Sequence, residues 1–251
     1  MLIDVHCHLN LYLIPEEIIS EAKRVGVEKI ISVAMSVISQ GRILEICERF
    51  EAAYPALGIH PQEVEENENV HRDLNGILDL ITINCDKLCA MGEIGLDHHF
   101  VKKKELYPLQ EKIFKKMLEL AQKFNLPVIL HTKGAEKEVF DILPSYTLPN
   151  IDIHWYSGPE NLVKVGLDRG YYFSITPAVK YSPPLKRTVE LCESSNLLLE
   201  SDGPVEYQNQ VGTPSMVPSV LKMVSKIKNI PEDDLKRQIL ENSKKAFPKI
   251  F

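Results

Sequence analysis

Residues 2–8 read LIDVHCH, an apolar and β-prone run that ends in two histidines. Side chains alternate between the two faces of a strand, so Asp4, His6 and His8 share one face and Cys7 lies on the other. Two imidazoles on one face can bind a metal ion, and a buried Asp4 would need a partner such as an imidazole N–H. The run therefore predicts a strand with a metal-binding face, and it predicts that Cys7 faces the helices as a structural residue.

The same pattern recurs along the chain, and the intervening segments have helical spacing. The eight predicted strands are 2–8, 29–35, 52–59, 89–96, 127–132, 150–156, 171–177 and 197–202. The clearest predicted helices are 15–26, 105–125, 214–228 and 231–246. Strands that alternate with helices predict a parallel sheet. Eight such units in 251 residues predict one α/β domain, a (β/α)8 TIM barrel over residues 1–251.

An open doubly wound sheet is the alternative architecture. In such a sheet the ligands gather at one switch point, whereas the candidate ligands of this chain follow five different strands. Residues 92–95 (GEIG) also lack the G-x-G-x-x-G spacing of a phosphate-binding loop. The barrel is therefore the favoured prediction.

Six potential metal ligands stand at the C-terminal ends of five predicted strands. They are His6, His8, Glu93, His131, His154 and Asp202. Each alone is more often an ordinary strand-end residue, but a barrel gathers the C-terminal ends of its strands at one rim, where the six would converge. Four imidazoles and two carboxylates suit two divalent ions. They favour Zn, Mn, Co, Ni or Fe over Mg, which prefers oxygen ligands.

These residues indicate hydrolytic chemistry. Glu93 can bridge two ions through its two oxygens, and Asp202 can bind a metal and accept a proton from a water, so both are candidate catalytic residues. Lys133 lies two residues past His131 and shares its face, which would place a cation beside the ions. His60 ends the third run and is predicted to contact substrate or a bound water.

Composition limits the classes to which the protein can belong. The net charge of −6 argues against a globally basic surface for nucleic acid. The five cysteines include no C-x-x-C pair, which favours reduced thiols and a cytoplasmic location. The first residues lack the regions of a signal peptide, and no run approaches the roughly 18 apolar residues that span a membrane. A monomer is compatible with the sequence.

In their order along the whole chain, these motifs resemble the TatD family of metal-dependent deoxyribonucleases, within the amidohydrolase superfamily. The matching segments are 4–8 (DVHCH), 58–61 (GIHP), 92–97 (GEIGLD), 127–131 (PVILH), 153–158 (IHWYSG), 200–202 (ESD) and 241–242 (EN). The resemblance implies a (β/α)8 barrel with a two-metal site. In that site His6, His8 and Asp202 hold the first ion, His131 and His154 hold the second, and Glu93 bridges them. It also implies DNA as the substrate and 3′-to-5′ exonuclease activity, usually assayed with Mg²⁺, so Mg²⁺ is a candidate for turnover.

The chain departs from the family pattern where positive charge is usual. Residues 98–100 (HHF) stand where an aromatic residue and then an Arg are usual, Lys133 stands where Arg is frequent, and no Arg precedes Pro214. These differences keep the metal ligands but remove charge that could hold phosphates.

Three hypotheses follow from the motifs and their departures. The first is a phosphodiesterase that acts on single-stranded DNA ends with a two-metal-activated water, Lys133 and the run 102–104 (KKK) being the available cations. The second is an amidohydrolase or esterase that acts on an amide, a lactone or an aminoacyl ester, for which cations around the mouth are not needed. The third is a metal-bearing interaction module without activity.

Overall fold

The eight strands of the barrel are parallel and follow one another in chain order. The computed structural model describes residues 1–251, and its strands pair in the order β1 to β8. The strands are β1 (Leu2–Cys7), β2 (Val27–Val33), β3 (Ala53–Leu57), β4 (Ala90–Gly95), β5 (Val128–His131), β6 (Ile151–His154), β7 (Tyr172–Ile175) and β8 (Leu197–Leu199). The predicted (β/α)8 barrel is confirmed, and the open doubly wound sheet is wrong.

Helices alternate with the strands, and two more follow the last strand. They are α1 (Pro15–Arg24), α2 (Ser39–Arg49), α3 (Glu63–Glu66), α4 (Val70–Asn84), α5 (Tyr107–Lys123), α6 (Glu136–Ile142), α7 (Glu160–Asp168), α8 (Pro183–Leu191), α9 (Val217–Lys228) and α10 (Glu232–Ala246). The four helices predicted most clearly are present, with ends within three residues of the predicted bounds. No helix combines the length and the apolar character that crossing a membrane requires.

Two backbone hydrogen bonds close the barrel between β1 and the segment that follows β8. The Asp202 N–H donates to the His6 carbonyl at 2.9 Å, and the His8 N–H donates to the Gly203 carbonyl at 2.8 Å. Closure therefore sets Asp202 directly beside the two histidines of the first strand.

Alternation along the strands sends the candidate ligands away from the helices. Ile94, Leu130 and Ile153 adjoin the ligands of β4, β5 and β6 in sequence, and all three belong to the larger apolar cluster together with helix residues such as Phe114. Because successive side chains of a strand point to opposite faces, the adjoining ligands point into the barrel. The apolar side chains on one face of each strand thus pack against the helices and hold the polar side chains of the opposite face in place at the rim.

Gly95 allows β4 and β5 to approach each other closely. It pairs with His131 and has a φ of +148°, and a Cβ atom at this position would collide with the His131 carbonyl oxygen. The Leu96 N–H donates to that same carbonyl at 3.2 Å. Glycine at this position therefore sets the pairing that brings the end of β4 alongside His131.

The last strand is shorter than predicted. β8 ends at Leu199, three residues before Asp202, whereas the predicted strand reaches 202. Asp202 has a left-handed φ of +47°, which an aspartate tolerates better than most residues. The chain turns there and leads into a hairpin of β9 (Glu206–Tyr207) and β10 (Gln210–Val211) that the sequence pattern did not predict.

Two residues of the sequence motifs have structural roles. Cys7 is fully buried in the larger apolar cluster, as predicted, and its Sγ lies 3.6 Å from the Gly203 carbonyl oxygen. The Asn242 amide donates to the carbonyls of Ser194 at 2.7 Å and Leu197 at 2.8 Å. The late Glu-Asn motif thus fastens α10 to the start of the last barrel strand.

Candidate metal centre

The six predicted ligands converge at the C-terminal rim of the barrel. Their ligand atoms form overlapping groups within 4.8 Å, one with His6, His8 and Glu93, one with His6, His154 and Asp202, and one with His60, Glu93 and His131. All of these residues except His6 line a cavity of about 700 Å³ that opens at the rim. The convergence predicted from strand order is therefore present in the structure.

Four ligand atoms surround one point between β1, β4 and the segment after β8. His6 Nε2 lies 3.2 Å from His8 Nε2, 3.3 Å from Glu93 Oε2 and 3.6 Å from Asp202 Oδ1. His8 Nε2 lies 3.4 Å from the same Asp202 oxygen and 3.7 Å from Glu93 Oε2. A tetrahedral ion with bonds of about 2.0–2.2 Å holds its ligands about 3.3–3.6 Å apart. The four atoms therefore fit one divalent ion.

A backbone contact sets the tautomer of His8. Its Nδ1 lies 2.8 Å from the Val33 carbonyl oxygen, which can only accept a hydrogen bond. Nδ1 therefore carries the proton, and Nε2 presents a lone pair to the other three ligand atoms. Such an outer hydrogen bond is the usual way in which a protein orients a metal-binding histidine.

His131 has a carboxylate at each ring nitrogen. Its Nδ1 lies 2.9 Å from Glu93 Oε1, and its Nε2 lies 2.8 Å from Asp97 Oδ2. A neutral imidazole has only one N–H, which can serve one of the two carboxylates. The contact with the other carboxylate requires a second proton or a metal cation. Burial lowers the pKa of His131, but Asp97 and Glu93 raise it above its ordinary value. If Nε2 donates to Asp97, the lone pair of Nδ1 and the Glu93 oxygen can share a cation.

Asp97 has a role that the sequence pattern did not reveal, although residues 93, 95 and 97 share one face of an alternating strand. Its Oδ1 accepts the backbone N–H groups of His99 at 2.8 Å and Phe100 at 2.6 Å, so its position is held while Oδ2 meets His131. Asp97 is therefore an orienting carboxylate. The end of the motif at residues 92–97 was the available signal.

We expect the Asp97→Asn substitution to weaken metal binding or activity by roughly 10- to 100-fold, the usual effect of losing such a partner. The amide removes the negative charge that favours the required His131 tautomer. Metal titration by calorimetry, followed by activity on the best substrate, would measure the loss. Asp79→Asn, an exposed aspartate of α4, is the control. Unchanged metal affinity and activity would show that Asp97 does not orient His131.

His154 also lies between two carboxylates. Its Nδ1 is 2.9 Å from Glu200 Oε1, its Nε2 is 3.7 Å from Asp202 Oδ2, and its ring stacks on His6 with centroids 3.9 Å apart. Glu200 Oε1 also accepts the Trp155 N–H at 3.1 Å, which holds that carboxylate in place. The structure thus groups His154 with His6 and Asp202. The predicted pairing of His154 with His131 on a second ion stays a prediction.

His60 meets the same group, but its hydrogen bonds differ from those of a ligand. Its Nε2 lies 3.1 Å from His131 Nδ1 and 3.4 Å from Glu93 Oε1, and its Nδ1 accepts the Gln62 N–H at 3.2 Å. Burial lowers the pKa of His60, so the ring is neutral and its single proton is on Nε2. Although the distances alone would admit His60 as a ligand, a metal on Nε2 would require the ring proton to move to Nδ1, where it would oppose the Gln62 N–H.

Burial and mutual contacts set the charges of the cluster. Burial raises the pKa of Glu93, but His60, His6 and His131 together lower it well below its ordinary value. Burial lowers the pKa of His154, but Glu200 and Asp202 raise it to about 10. In the absence of a metal the carboxylates are therefore ionised and His154 carries a proton. Metal binding must displace such protons, so metal affinity should rise with pH.

Asp4 does not meet an imidazole, contrary to the expectation from the strand pattern. Its Oδ1 accepts the backbone N–H groups of His6 at 3.2 Å and Ser201 at 2.9 Å. His6 Nδ1 has no hydrogen-bond partner. The carboxylate therefore ties the first strand to the segment after β8, because closure of the barrel brings the Ser201 N–H within its reach.

The cavity above the ligands has little positive charge. Among the 21 residues that line it, Lys133 is the only lysine or arginine, and the run 102–104 takes no part. Lys133 Nζ donates to Ser157 Oγ at 2.8 Å, and the carboxylate of Glu136 lines the same cavity. Lys133 is thus at the mouth as predicted, but as a single cation.

Comparisons with known proteins agree with this geometry. A model of the TatD related DNase family matches residues 3–248. An uncharacterised metal-dependent hydrolase of Methanocaldococcus jannaschii, MJ1582, is 32% identical over 98% of this chain and 96% of its own length. The human deoxyribonuclease TATDN3 is 27% identical, over 99% of this chain and 95% of its own length.

Solved structures give the same result. The crystal structure of YjjV, a TatD homologue from Escherichia coli, superposes with a TM-score of 0.89 at 26% identity and covers 98% of both chains. The hypothesis of an inactive interaction module is therefore wrong, and the protein is a metal-dependent hydrolase. The resemblance seen in the ordered motifs is confirmed: the chain belongs to the TatD related DNase family.

Proposed function

We propose that this hydrolase is a deoxyribonuclease that cleaves phosphodiester bonds at the 3′ ends of single-stranded DNA with two divalent ions. The observation that carries the proposal is the position of Glu93. Its Oε2 faces His6 and His8, whereas its Oε1 faces His131. One carboxylate thus serves two groups of nitrogen ligands, which is the arrangement that a pair of bridged ions requires.

The protein's residues divide the work of hydrolysis. His6, His8, Glu93 and Asp202 would hold one ion, and His131 and His154 would complete a second with Glu93. Bound ions lower the pKa of an attacking water and neutralise the charge that develops on the phosphate. Asp202, whose Oδ2 is not used by His6 or His8, would accept the proton of the water. Lys133 would donate to a non-bridging phosphate oxygen.

His60→Ala is expected to leave both ions bound and to slow catalysis by roughly 10- to 100-fold. The variant removes one N–H donor to a charged group, and such a bond is typically worth about 1.5–3 kcal/mol. Metal content and kcat should both be measured, because loss of an ion would show that His60 is a ligand. His60→Gln, whose amide offers an N–H in place of Nε2–H, should recover part of the rate.

A second candidate function is hydrolysis of an amide, a lactone or an aminoacyl ester. The specific observation in its favour is the single lysine in a cavity that also has Glu136 in its wall. A phosphodiester needs cationic donors for its non-bridging oxygens, whereas the same ions can polarise a neutral carbonyl without them.

Lys133→Ala separates the two candidate functions. If the substrate is a phosphodiester, loss of the ammonium should lower kcat/KM by roughly 10- to 100-fold, and Lys133→Arg should restore much of it. If the substrate is neutral, the change should be small. The assay is cleavage of a single-stranded oligonucleotide with metal content verified, and Lys112→Ala, an exposed lysine of α5 outside the cavity, is the control.

The direct test of the function is a substrate screen. The metal-loaded protein, prepared in turn with Zn²⁺, Mn²⁺ and Mg²⁺, would be assayed on single- and double-stranded DNA, RNA, lactones and N-acyl compounds. Preferential release of nucleotides from the 3′ ends of single-stranded DNA would support the proposal. Turnover of the carbonyl compounds alone would favour the second candidate.

A further inference from the structure

Aromatic side chains stand around the mouth of the cavity. Phe100 follows β4, Trp155 follows β6 and Tyr181 lies in the connection after β7, and all three line the cavity. Phe100 is 55% exposed and Tyr181 is 39% exposed, although both are large apolar rings. Because strands β4 and β7 lie three places apart in a barrel of eight, the two exposed rings stand on well-separated parts of the rim.

The hydrogen bonds that hold the loops of Phe100 and Tyr181 involve the backbone and not the two aromatic rings. The Phe100 N–H donates to Asp97, and the Tyr181 N–H donates to the Ala178 carbonyl, so the backbone of each residue is held while its ring reaches toward solvent. The rings of His99 and Phe100 are nearly perpendicular with centroids 4.7 Å apart, and more than half of Phe100 is still exposed to other contacts. Each ring is therefore presented on a fixed backbone.

The distribution of charge restricts what these rings can bind. A long polynucleotide held by its backbone would need a row of lysines or arginines, and the cavity has Lys133 alone. A neutral planar group, in contrast, can stack on an aromatic face whatever its identity. Apart from the metal centre and neutral polar side chains such as Gln62 and Ser182, this mouth thus offers planar stacking and one cationic contact.

We propose that Phe100 and Tyr181 are base-stacking residues that recognise the terminal nucleotides of a single strand, so that binding depends on unpaired bases more than on phosphate charge. The proposal rests on the deoxyribonuclease function given above and makes it more specific. A base in a duplex is stacked and paired already, so such a site selects single-stranded ends. It also explains how a cavity with one lysine can bind a nucleic acid.

The experiment compares two single-stranded oligonucleotides of equal charge, one with ordinary bases at its last two 3′ positions and one with abasic residues at both. The wild-type protein should cleave the first more efficiently, by roughly 5- to 100-fold for each base, since stacking of one base is typically worth that much. Phe100→Ala and Tyr181→Ala should each lose the part of this preference that one stacked base contributes and retain the rate on the abasic strand. Phe100→Trp should keep the preference. Phe251→Ala, a phenylalanine 48% exposed outside the cavity, is the matched control.

Binding supplies a readout that does not depend on cleavage. Trp155 is the only tryptophan of the chain and lines the cavity, so its fluorescence reports a base that enters. The metal-loaded protein would be titrated with a base-bearing oligonucleotide whose terminal linkage is a phosphorothioate. Phe100→Ala should weaken this binding by the same factor as it weakens cleavage. The slope of log affinity against log salt should be about −0.7, the value for one phosphate contact on a single strand.

The possible failures are distinguishable. Equal cleavage of both oligonucleotides by the wild-type protein, or variants that slow both equally, would overturn the stacking proposal and leave the deoxyribonuclease function standing. If the metal-loaded protein cleaves neither oligonucleotide, the deoxyribonuclease function fails. In that case the fluorescence titration decides, because affinity that is unchanged in both Ala variants overturns the stacking proposal as well.

Discussion

Replacement of Asp202 by Asn should lower kcat by roughly 10²- to 10⁴-fold, the usual contribution of a positioned general base. Asp202 Oδ1 lies 3.6 Å from His6 Nε2 and 3.4 Å from His8 Nε2, so an asparagine oxygen in that position can still serve as a ligand. The amide nitrogen that replaces Oδ2 cannot accept a proton. The substitution therefore removes the base while it preserves the shape of the site.

The result depends on the charge of Asp202 in the free enzyme. Burial raises the pKa of Asp202, but His154, His8 and His6 lower it below its ordinary value, so the carboxylate is ionised over the whole neutral range. Metal content, KM and kcat of the variant would be measured together, with the exposed Asp168→Asn as the control. A variant that keeps both ions and a rate near that of the wild-type protein would exclude Asp202 as the base.

The positions of the metal ligands could be predicted because barrel topology converts chain order into spatial order. His131 and His154 each follow an apolar strand directly, and in a closed parallel barrel the ends of such strands must meet at one rim. Neither the identity of the loops nor the packing of the helices was needed for this step. The recurring pattern of an apolar run and a polar end carried the information.

Contacts between strands could not be predicted from the pattern within each strand. Asp97 contacts His131 because Gly95 allows the backbones of β4 and β5 to approach closely. The register between these strands depends on both of them and not on the pattern within either one. The role of His60 depends on the Gln62 N–H, which sets its tautomer and lies in a turn. Asp4 satisfies backbone N–H groups that barrel closure brings to it. What the sequence left unpredicted for Asp97, His60 and Asp4 is the identity of their hydrogen-bond partners, which residue type alone does not determine.

Glu93 offers the sharpest test of a bridged pair of ions. Its two oxygens face different groups, Oε2 toward His6 at 3.3 Å and Oε1 toward His131 at 2.9 Å, and the side chain is almost fully buried. Glu93→Gln retains one oxygen and replaces the other by an NH₂ group, which cannot bind a metal. One ion should therefore lose its shared ligand while the other keeps it.

The expected result for Glu93→Gln is a fall from two bound ions per chain to one. An ion that acts as a Lewis acid contributes several kcal/mol to catalysis, so kcat/KM should fall by roughly 10²- to 10⁴-fold. Metal content after dialysis would be measured by elemental analysis and the fold checked by thermal unfolding. Glu63→Gln is the matched control, because Glu63 is also buried but accepts the Val37 N–H outside the metal centre. If wild-type protein binds one ion only, or if Glu93→Gln retains two, then Glu93 does not bridge, and the two faces of its carboxylate serve one ion and one protonated histidine instead.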